Sequence, residues 1–292
     1  MRLIRSLLFA PANRPDLIEK FPRYAADAFA IDLEDGTPES GKEQARRELP
    51  RLVTFLRERE LKGALFVRVN HAGSPHAEPD LAAATSTAID GIVEPKLETA
   101  EGLKFFATGL TAAEARSGRA LELIGIIETV RGIMNVEALA GTAGSHLSAL
   151  AFGAEDFITD IGGRRTPEGL EVLYARSRVV LAARAAAVTA LDLVFANIRD
   201  EEGFRRDAQF GRQLGYHGKL CVTPRQVEIA NEIFSPSPEE IEHSRRLIQT
   251  YAAAEAEGRG TVEFEGQMID EPILRRARAI LDAGKVESDE DR

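Results

Sequence analysis

Five apolar runs in this sequence end in ionisable side chains: Asp32-Leu33-Glu34-Asp35, Arg68-Val69-Asn70, Glu94-Pro95-Lys96, Glu128-Thr129 and Gly153-Ala154-Glu155-Asp156. An isolated buried charge costs several kcal/mol, so a ring of both signs must be mutually compensated or ligand-bound. Glu128 and Asp156 form the sharpest pair. Neighbouring parallel strands lie about 4.8 Å apart, so carboxylates at the ends of the fifth and sixth strands can meet on one cation. With no Cys or His set nearby, two carboxylates plus water and substrate oxygens suit Mg²⁺ better than Zn²⁺, with Mn²⁺ as a substitute. The plainer alternative pairs Glu128 with Arg131 and uses Asp156 to cap a turn.

Arg68 has the fork geometry to clamp both oxygens of a 2-oxo acid carboxylate. It could equally pair with Glu34 or Asp35, and such a pair could orient the clamp. Lys96 and Glu94 stand at i, i+2 and could neutralise each other, leaving Lys96 either a substrate contact or a structural cation. Arg14, after the first strand, and Arg164 and Arg165, after Gly162-Gly163, offer a phosphate site on the same face, or an ordinary solvated surface. The five histidines (71, 76, 146, 217 and 243) have no spacing that makes a catalytic base. Cys221 reads as a small buried residue.

The elements that must position these groups alternate. Candidate strands are Ser6–Ala10, Ala28–Leu33, Leu65–Asn70, Gly91–Lys96, Leu121–Glu128, Leu147–Gly153, Leu191–Ile198 and Lys219–Val222. Helical patterns lie at Asp16–Tyr24, Ser40–Glu60, Glu78–Thr87, Thr99–Arg116, Gly132–Ala140, Pro167–Ala187, Glu201–Leu214 and Pro224–Phe234. Continuous apolar strands joined through helices imply a covered parallel sheet, and eight such units close most economically into a (β/α)8 TIM barrel. An open doubly wound α/β sheet is the rival, but no Gly-rich nucleotide turn follows the first strand. Ser40, with Glu43 three residues on, has the capping-box spacing, and Gly215 stands where a left-handed helix stop belongs.

After residue 234 the pattern changes. Ser235-Pro236-Ser237-Pro238 is a break and a ready N-cap for a helix to about Glu257. Gly258-Arg259-Gly260 is a second break, Thr261–Ile269 alternates like a hairpin, and Pro272 precedes a last helix over Ile273–Ala283. The expected division is a catalytic barrel at 1–234, a C-terminal helical arm or lid at 235–285, and an acidic, disordered tail at 286–292.

Composition narrows the function classes. Thirty-seven basic against 47 acidic residues make −10, which argues against a nucleic-acid surface, so an anionic ligand needs a local cationic cluster. The single cysteine allows no internal disulfide and no thiolate zinc cluster, as in a reducing cytoplasm. No run of about 18 apolar residues suggests a membrane span. Residues 1–10 imitate a signal peptide only faintly and read as the first strand.

Taken in order, Arg5-Ser6-Leu7-Leu8-Phe9-Ala10-Pro11-Ala12-Asn13-Arg14, Asp32-Leu33-Glu34-Asp35, Arg68-Val69-Asn70, Asp90–Lys96, Ile127-Glu128-Thr129 and Phe152–Asp156 resemble the citrate lyase β-subunit-like branch of the HpcH/HpaI aldolase/citrate lyase superfamily. That branch includes malyl-CoA and citramalyl-CoA lyases, and the similarity continues through Leu214–Lys219, Pro224-Arg225-Gln226-Val227 and Gly266-Gln267-Met268-Ile269-Asp270. The resemblance implies a Mg²⁺-dependent lyase that splits a 3-hydroxyacyl-CoA thioester into acetyl-CoA and a 2-oxo acid. It makes Glu128 and Asp156 the metal ligands and Arg68 the oxo-acid clamp, and Asp270 an acid/base carried by a neighbouring subunit's C-terminal segment. Glu34 and Asp35 then join the catalytic group, and Gly153, Ala154, Glu155 and Lys96 contact substrate. Arg14, Arg164 and Arg165 become candidates for CoA phosphates. A homo-oligomer, trimeric or hexameric, is implied, with no nucleic-acid or membrane partner. Alternatives are a citrate lyase β-subunit acting on citryl-acyl carrier protein, a CoA-independent aldolase, and a non-catalytic metabolite-binding protein. One departure stands out: where relatives read Ile-His-Pro, this chain has Val222-Thr223-Pro224.

Overall fold

The structure is a computed structural model that describes residues 3–142, 144 and 146–290. Eight parallel strands close into one barrel in chain order: β1 (Ser6–Pro11), β2 (Ala28–Asp32), β3 (Ala64–Arg68), β4 (Gly91–Glu94), β5 (Glu122–Ile127), β6 (Leu147–Phe152), β7 (Thr189–Asp192) and β8 (Gly218–Cys221). Closure is by β1 on β8, with Leu7 beside Leu220. Helices cover the outside: α1 (Pro15–Ile18), α2 (Lys42–Glu58), α3 (Ala77–Thr85), α4 (Ala100–Ser117), α5 (Val130–Ala140), α6 (Ala154–Asp160), α7 (Leu170–Ala185), α8 (Glu201–Leu214) and α9 (Pro224–Phe234).

Strand alternation sorts side chains between two cores. Leu7, Ala28, Ala30, Phe66, Val93, Ile124, Ile126, Ala151, Leu191 and Leu220 point inward and fill the barrel. The five alanines of this cluster (28, 30, 64, 149 and 151) fill little of the interior, and Phe66, fully buried among them, occupies that space; burying it contributes roughly 1.5–3 kcal/mol. Their neighbours in sequence, among them Phe29, Ile31, Leu65, Val67, Ile92 and Phe152, face outward onto the helices. Thr99 caps α4 by accepting from Gly102 N, and Thr129 caps α5 by accepting from Gly132 N. Glu128 therefore sits between a strand and a capped helix, and its backbone is held from both sides.

Charges also occur outside the chemical face. Asp192 and Lys219, fully buried on β7 and β8, meet Arg176 of α7 and Asp207 of α8. Tyr216 donates to the Arg176 carbonyl at 2.7 Å. Two cations and two carboxylates balance here, so removing one partner strands a buried charge at a cost of about 3–5 kcal/mol.

Several local expectations need correction. Ser40 does not cap α2: the N-cap is Gly41, without a side-chain bond, and Ser40 lies in a short 3-10 turn. The first helical pattern breaks into α1 and a 3-10 turn at Phe21–Arg23, because Pro22 lacks the N–H that would extend it. The seventh strand starts earlier, at Thr189, and stops at Asp192, and α6 is an added helix. Gly215 does end α8 in the left-handed region, at φ 104°.

The chain separates into two compact units, residues 1–234 and 235–292. The second contains α10 (Pro238–Ala256), a hairpin of β9 (Val262–Phe264) and β10 (Gln267–Ile269), and α11 (Glu271–Glu290). Ser237 and Glu240 close a full capping box on α10. Leu247, Tyr251, Ile269, Leu274 and Ala277 form this unit's own core. α11 runs on through residues 286–290, expected to be disordered, as a continuation of the helix begun at Glu271; residues 291–292 lie outside the described residues. No helix among the described residues is long and apolar enough to cross a membrane.

Candidate active site

At the C-terminal mouth of the barrel a cavity of about 400 Å³ is lined by Phe9, Pro11, Leu17, Asp32, Gly36, Arg68, Ile126, Glu128, Gly153, Ala154, Glu155, Asp156, Val194, Leu220 and Val222. This is the face where barrels carry their chemistry. Of the residues expected there, Arg68, Glu128, Gly153, Ala154, Glu155 and Asp156 come together on one wall.

Register builds the centre. Asp32 and Arg68 are direct partners across β2 and β3. Their side chains make a two-pronged pair, Nε to Oδ1 at 2.7 Å and Nη2 to Oδ2 at 2.6 Å. Arg68 Nη1 also lies 3.2 Å from Glu34 Oε2, while Asp35 takes no part. Clamp and structural pair are thus compatible, since Asp32 occupies only two of five guanidinium donors. Burial alone would lower the Arg68 pKa, but Asp32 and Glu34 hold it above its ordinary value.

Lys96 does not pair with Glu94. Its backbone adopts φ 49°, and its ammonium bonds to Glu34 and to Asp35 at 3.2 Å, with Asp156 Oδ1 at 3.9 Å. Its own N–H donates to Glu128 Oε1 at 2.7 Å. Glu128 therefore accepts from Lys96. Burial, then the charges of Asp156 and Glu34, push Glu128 up to about 8.

Those charges bear on whether a cation fits. Asp32, Glu34, Asp35, Glu128 and Asp156 crowd five carboxyl groups around Arg68 and Lys96, and the repulsion that adds to burial in pushing Glu128 up is what a divalent ion would relieve. A Cβ at Gly153 would collide with the Glu128 carboxylate, so the glycine leaves this carboxylate its space. Among the described residues no three His, Cys, Asp or Glu side chains form a ready cage. A pair of carboxylates completed by water and substrate oxygens is the donor set that Mg²⁺ prefers.

Gly153 N–H is spent on the Ile127 carbonyl at 3.0 Å, so it cannot serve a substrate as expected. Ala154 and Glu155 stand in the first turn of α6, where helix N–H groups lack intrahelical partners. Arg14 is exposed and paired with Asp16; Arg165 pairs with Glu155 and Glu171. Arg164 is exposed. No histidine lines the cavity. Cys221 is fully buried, which pushes its thiol up to about 12. Asp270, in the second unit, starts α11, its Oδ1 accepting from Ile273 N at 3.3 Å. Thr223 is not idle: its hydroxyl accepts from Gln226 N at 3.2 Å at the start of α9.

Sequence reasoning missed Lys42. Its buried ammonium donates to the carbonyls of Leu33 and Glu34, both at 2.8 Å, and to Asn70 Oδ1 at 3.1 Å, which anchors the loop that presents Glu34. A lone lysine in an amphipathic helix carries no signal for this; only the packed loop reveals it.

Glu94 is buried, with Oε2 unpartnered, and burial raises its pKa to about 8. Between its ordinary value and about 8 the folded chain keeps a proton that the unfolded chain releases. Stability from this group is therefore full below its ordinary pKa and falls as pH rises to about 8, by up to about 1.4 kcal/mol per pH unit. Glu94→Gln should remove that slope. Thermal unfolding of both proteins from pH 5 to 8 should show the variant gaining on the parent as pH rises; parallel curves would contradict it.

Residues 5–224 match the HpcH/HpaI aldolase/citrate lyase family. The chain is 45% identical, over 96% of each chain, to a protein of Deinococcus radiodurans named citrate lyase subunit beta-like protein. It is 34% identical to human mitochondrial citramalyl-CoA lyase, over 94% of this chain and 83% of the other. Among solved structures, the protein CitE of Mycobacterium tuberculosis in complex with magnesium, acetoacetate and coenzyme A matches with a TM-score of 0.76 at 31% identity, covering 97% of this chain and 99% of the other.

Proposed function

This chain belongs to the HpcH/HpaI aldolase/citrate lyase family, whose members among its relatives are named lyases, and we propose that it is a Mg²⁺-dependent carbon–carbon lyase for a 3-hydroxyacyl-CoA thioester of the citramalyl-CoA or malyl-CoA type. The observation that carries this reading is that Glu128, Asp156 and Arg68 line one cavity at the barrel mouth. A 2-oxo acid offers a carboxylate and an adjacent oxygen, which is what a divalent ion beside an arginine can hold together.

In this reading Glu128 and Asp156 hold Mg²⁺, which supplies Lewis-acid polarisation of the hydroxyl and carboxylate oxygens when bound. Arg68, pinned by Asp32, grips the carboxylate and fixes the carbon that bears the hydroxyl. Glu34 and Asp35 act through Lys96 and Arg68: they hold the two cations in place and do not touch substrate. Ala154 and Glu155 offer N–H donors to the same oxygens. The bond between the thioester α-carbon and the carbinol carbon breaks as the hydroxyl passes its proton to water. Its electron pair passes to the thioester as an enolate, and a proton then arrives at the α-carbon. Asp270 from the C-terminal arm of a second copy donates that proton, which makes a homo-oligomer the working form. Arg14, Arg164 and Arg165 are the proposed phosphate contacts of CoA.

Incubation with citramalyl-CoA or malyl-CoA should release acetyl-CoA and the oxo acid only with Mg²⁺ or Mn²⁺ present. Cleavage of citryl-acyl carrier protein with inert CoA esters would instead make the chain a citrate lyase β-subunit. Full activity in EDTA would remove the metal from the reading.

A further inference from the structure

The barrel mouth is divided by chemistry. The arc from β2 to β6 and the residues that follow these strands presents Asp32, Arg68, Glu128, Glu155 and Asp156 to the cavity, and the arc of β7, β8 and β1 presents no charge of either sign. On that arc the lining is Val194 after β7, Leu220 and Val222 at the end of β8, and Phe9 on β1. Leu17 of α1 continues it. The two halves meet at Arg68, whose guanidinium carbon lies 5.3 Å from the Phe9 ring centre. The apolar arc therefore begins at the guanidinium itself, next to the carbon that follows any carboxylate Arg68 holds. Among the described residues that line the cavity Arg68 is the one cation, Lys96 being engaged by Glu34 and Asp35, and Asp32 and Glu34 already lie on Arg68. A second carboxylate on the same carbon would find no cation there, and it would stand near those two acids.

Resting on the lyase reading above, we propose that the arc of Phe9, Val194, Leu220 and Val222 is the specificity wall of the site. It selects a substrate whose carbinol carbon bears a short alkyl group, so that the released 2-oxo acid is of the pyruvate or 2-oxobutyrate class and not a dicarboxylic oxo acid. One methyl group against an apolar wall discriminates by about 10-fold or more, and an unpaired charge there by considerably more.

The test compares kcat/KM of the full chain, with Mg²⁺, for three thioesters that differ only on that carbon: citramalyl-CoA with methyl, malyl-CoA with hydrogen and citryl-CoA with carboxymethyl. The expected order is citramalyl above malyl by about 10-fold, with citryl at least about 100-fold below citramalyl. Val222→Arg, at a position 40% exposed where the longer side chain can reach solvent, should narrow the citramalyl-to-citryl ratio by about 10-fold or more. Calorimetry with Mg²⁺ gives a readout that needs no turnover: pyruvate and 2-oxobutyrate should bind more tightly than oxaloacetate. Citryl-CoA cleaved as well as citramalyl-CoA, or oxaloacetate bound as tightly as pyruvate, would overturn the wall while leaving the lyase reading intact. Failure to cleave all three thioesters would overturn the lyase reading, and the binding order would still decide what the wall accepts.

Discussion

Glu128→Gln combined with Asp156→Asn should lower thioester cleavage by about 10³-fold or more and abolish the rise in Tm on adding Mg²⁺. The magnitude follows from the several kcal/mol that metal polarisation supplies to a developing alkoxide, at about 1.4 kcal/mol per decade. The folded state should survive without metal. Glu128 is pushed up to about 8 by burial and by its acidic neighbours, so replacing the two acids by amides relieves repulsion. The Lys96 N–H keeps an acceptor in the Gln side-chain oxygen. A variant that folds, stays inactive and shows no Mg²⁺-linked shift is the expected result. Calorimetry giving an unchanged Mg²⁺ affinity would move the metal to other ligands.

Asp270→Asn tests the proton donor. In the second unit the Asp270 side chain caps α11 through Oδ1, and asparagine is an equally good N-cap, so the arm should keep its structure. The amide cannot give up a proton at neutral pH. Loss of a general acid lowers rates by about 10²- to 10⁴-fold, which is the expected drop in kcat. Affinity for the 2-oxo acid with Mg²⁺ should be little changed, because asparagine keeps the side chain's size and Glu128, Asp156 and Arg68 are untouched. Near-normal turnover in the variant would exclude Asp270 as the donor.

The barrel was legible from the sequence because its signal is local. Apolar runs of strand length alternate with helical patterns, and each boundary carries its own turn chemistry. The charged run ends pointed to the rim that holds the cavity for a related reason: a charge has no local cause to end a buried strand. Where local signals misled, a neighbour overruled them. Ser40 has the capping spacing, yet the chain enters α2 through a 3-10 turn and leaves the cap to Gly41. Glu94 and Lys96 share a spacing that suits an ion pair, yet Lys96, at positive φ, bonds its ammonium to Glu34 in the loop after β2.

Residue types and their order along the chain were enough to determine a closed β/α barrel, the rim that gathers charged side chains around a cavity, and a carboxylate pair and an arginine that share it. Sheet closure decided the rest. It paired Asp32 with Arg68 across β2 and β3, buried Lys42 under the Glu34 loop, balanced Arg176 and Lys219 against Asp192 and Asp207, and gathered Phe9, Val194, Leu220 and Val222 into one arc. Hydrophobic period is a property of a few consecutive residues. Which side chains face each other across a cavity depends on the register of strands distant in sequence, and that is set only when the whole barrel has closed.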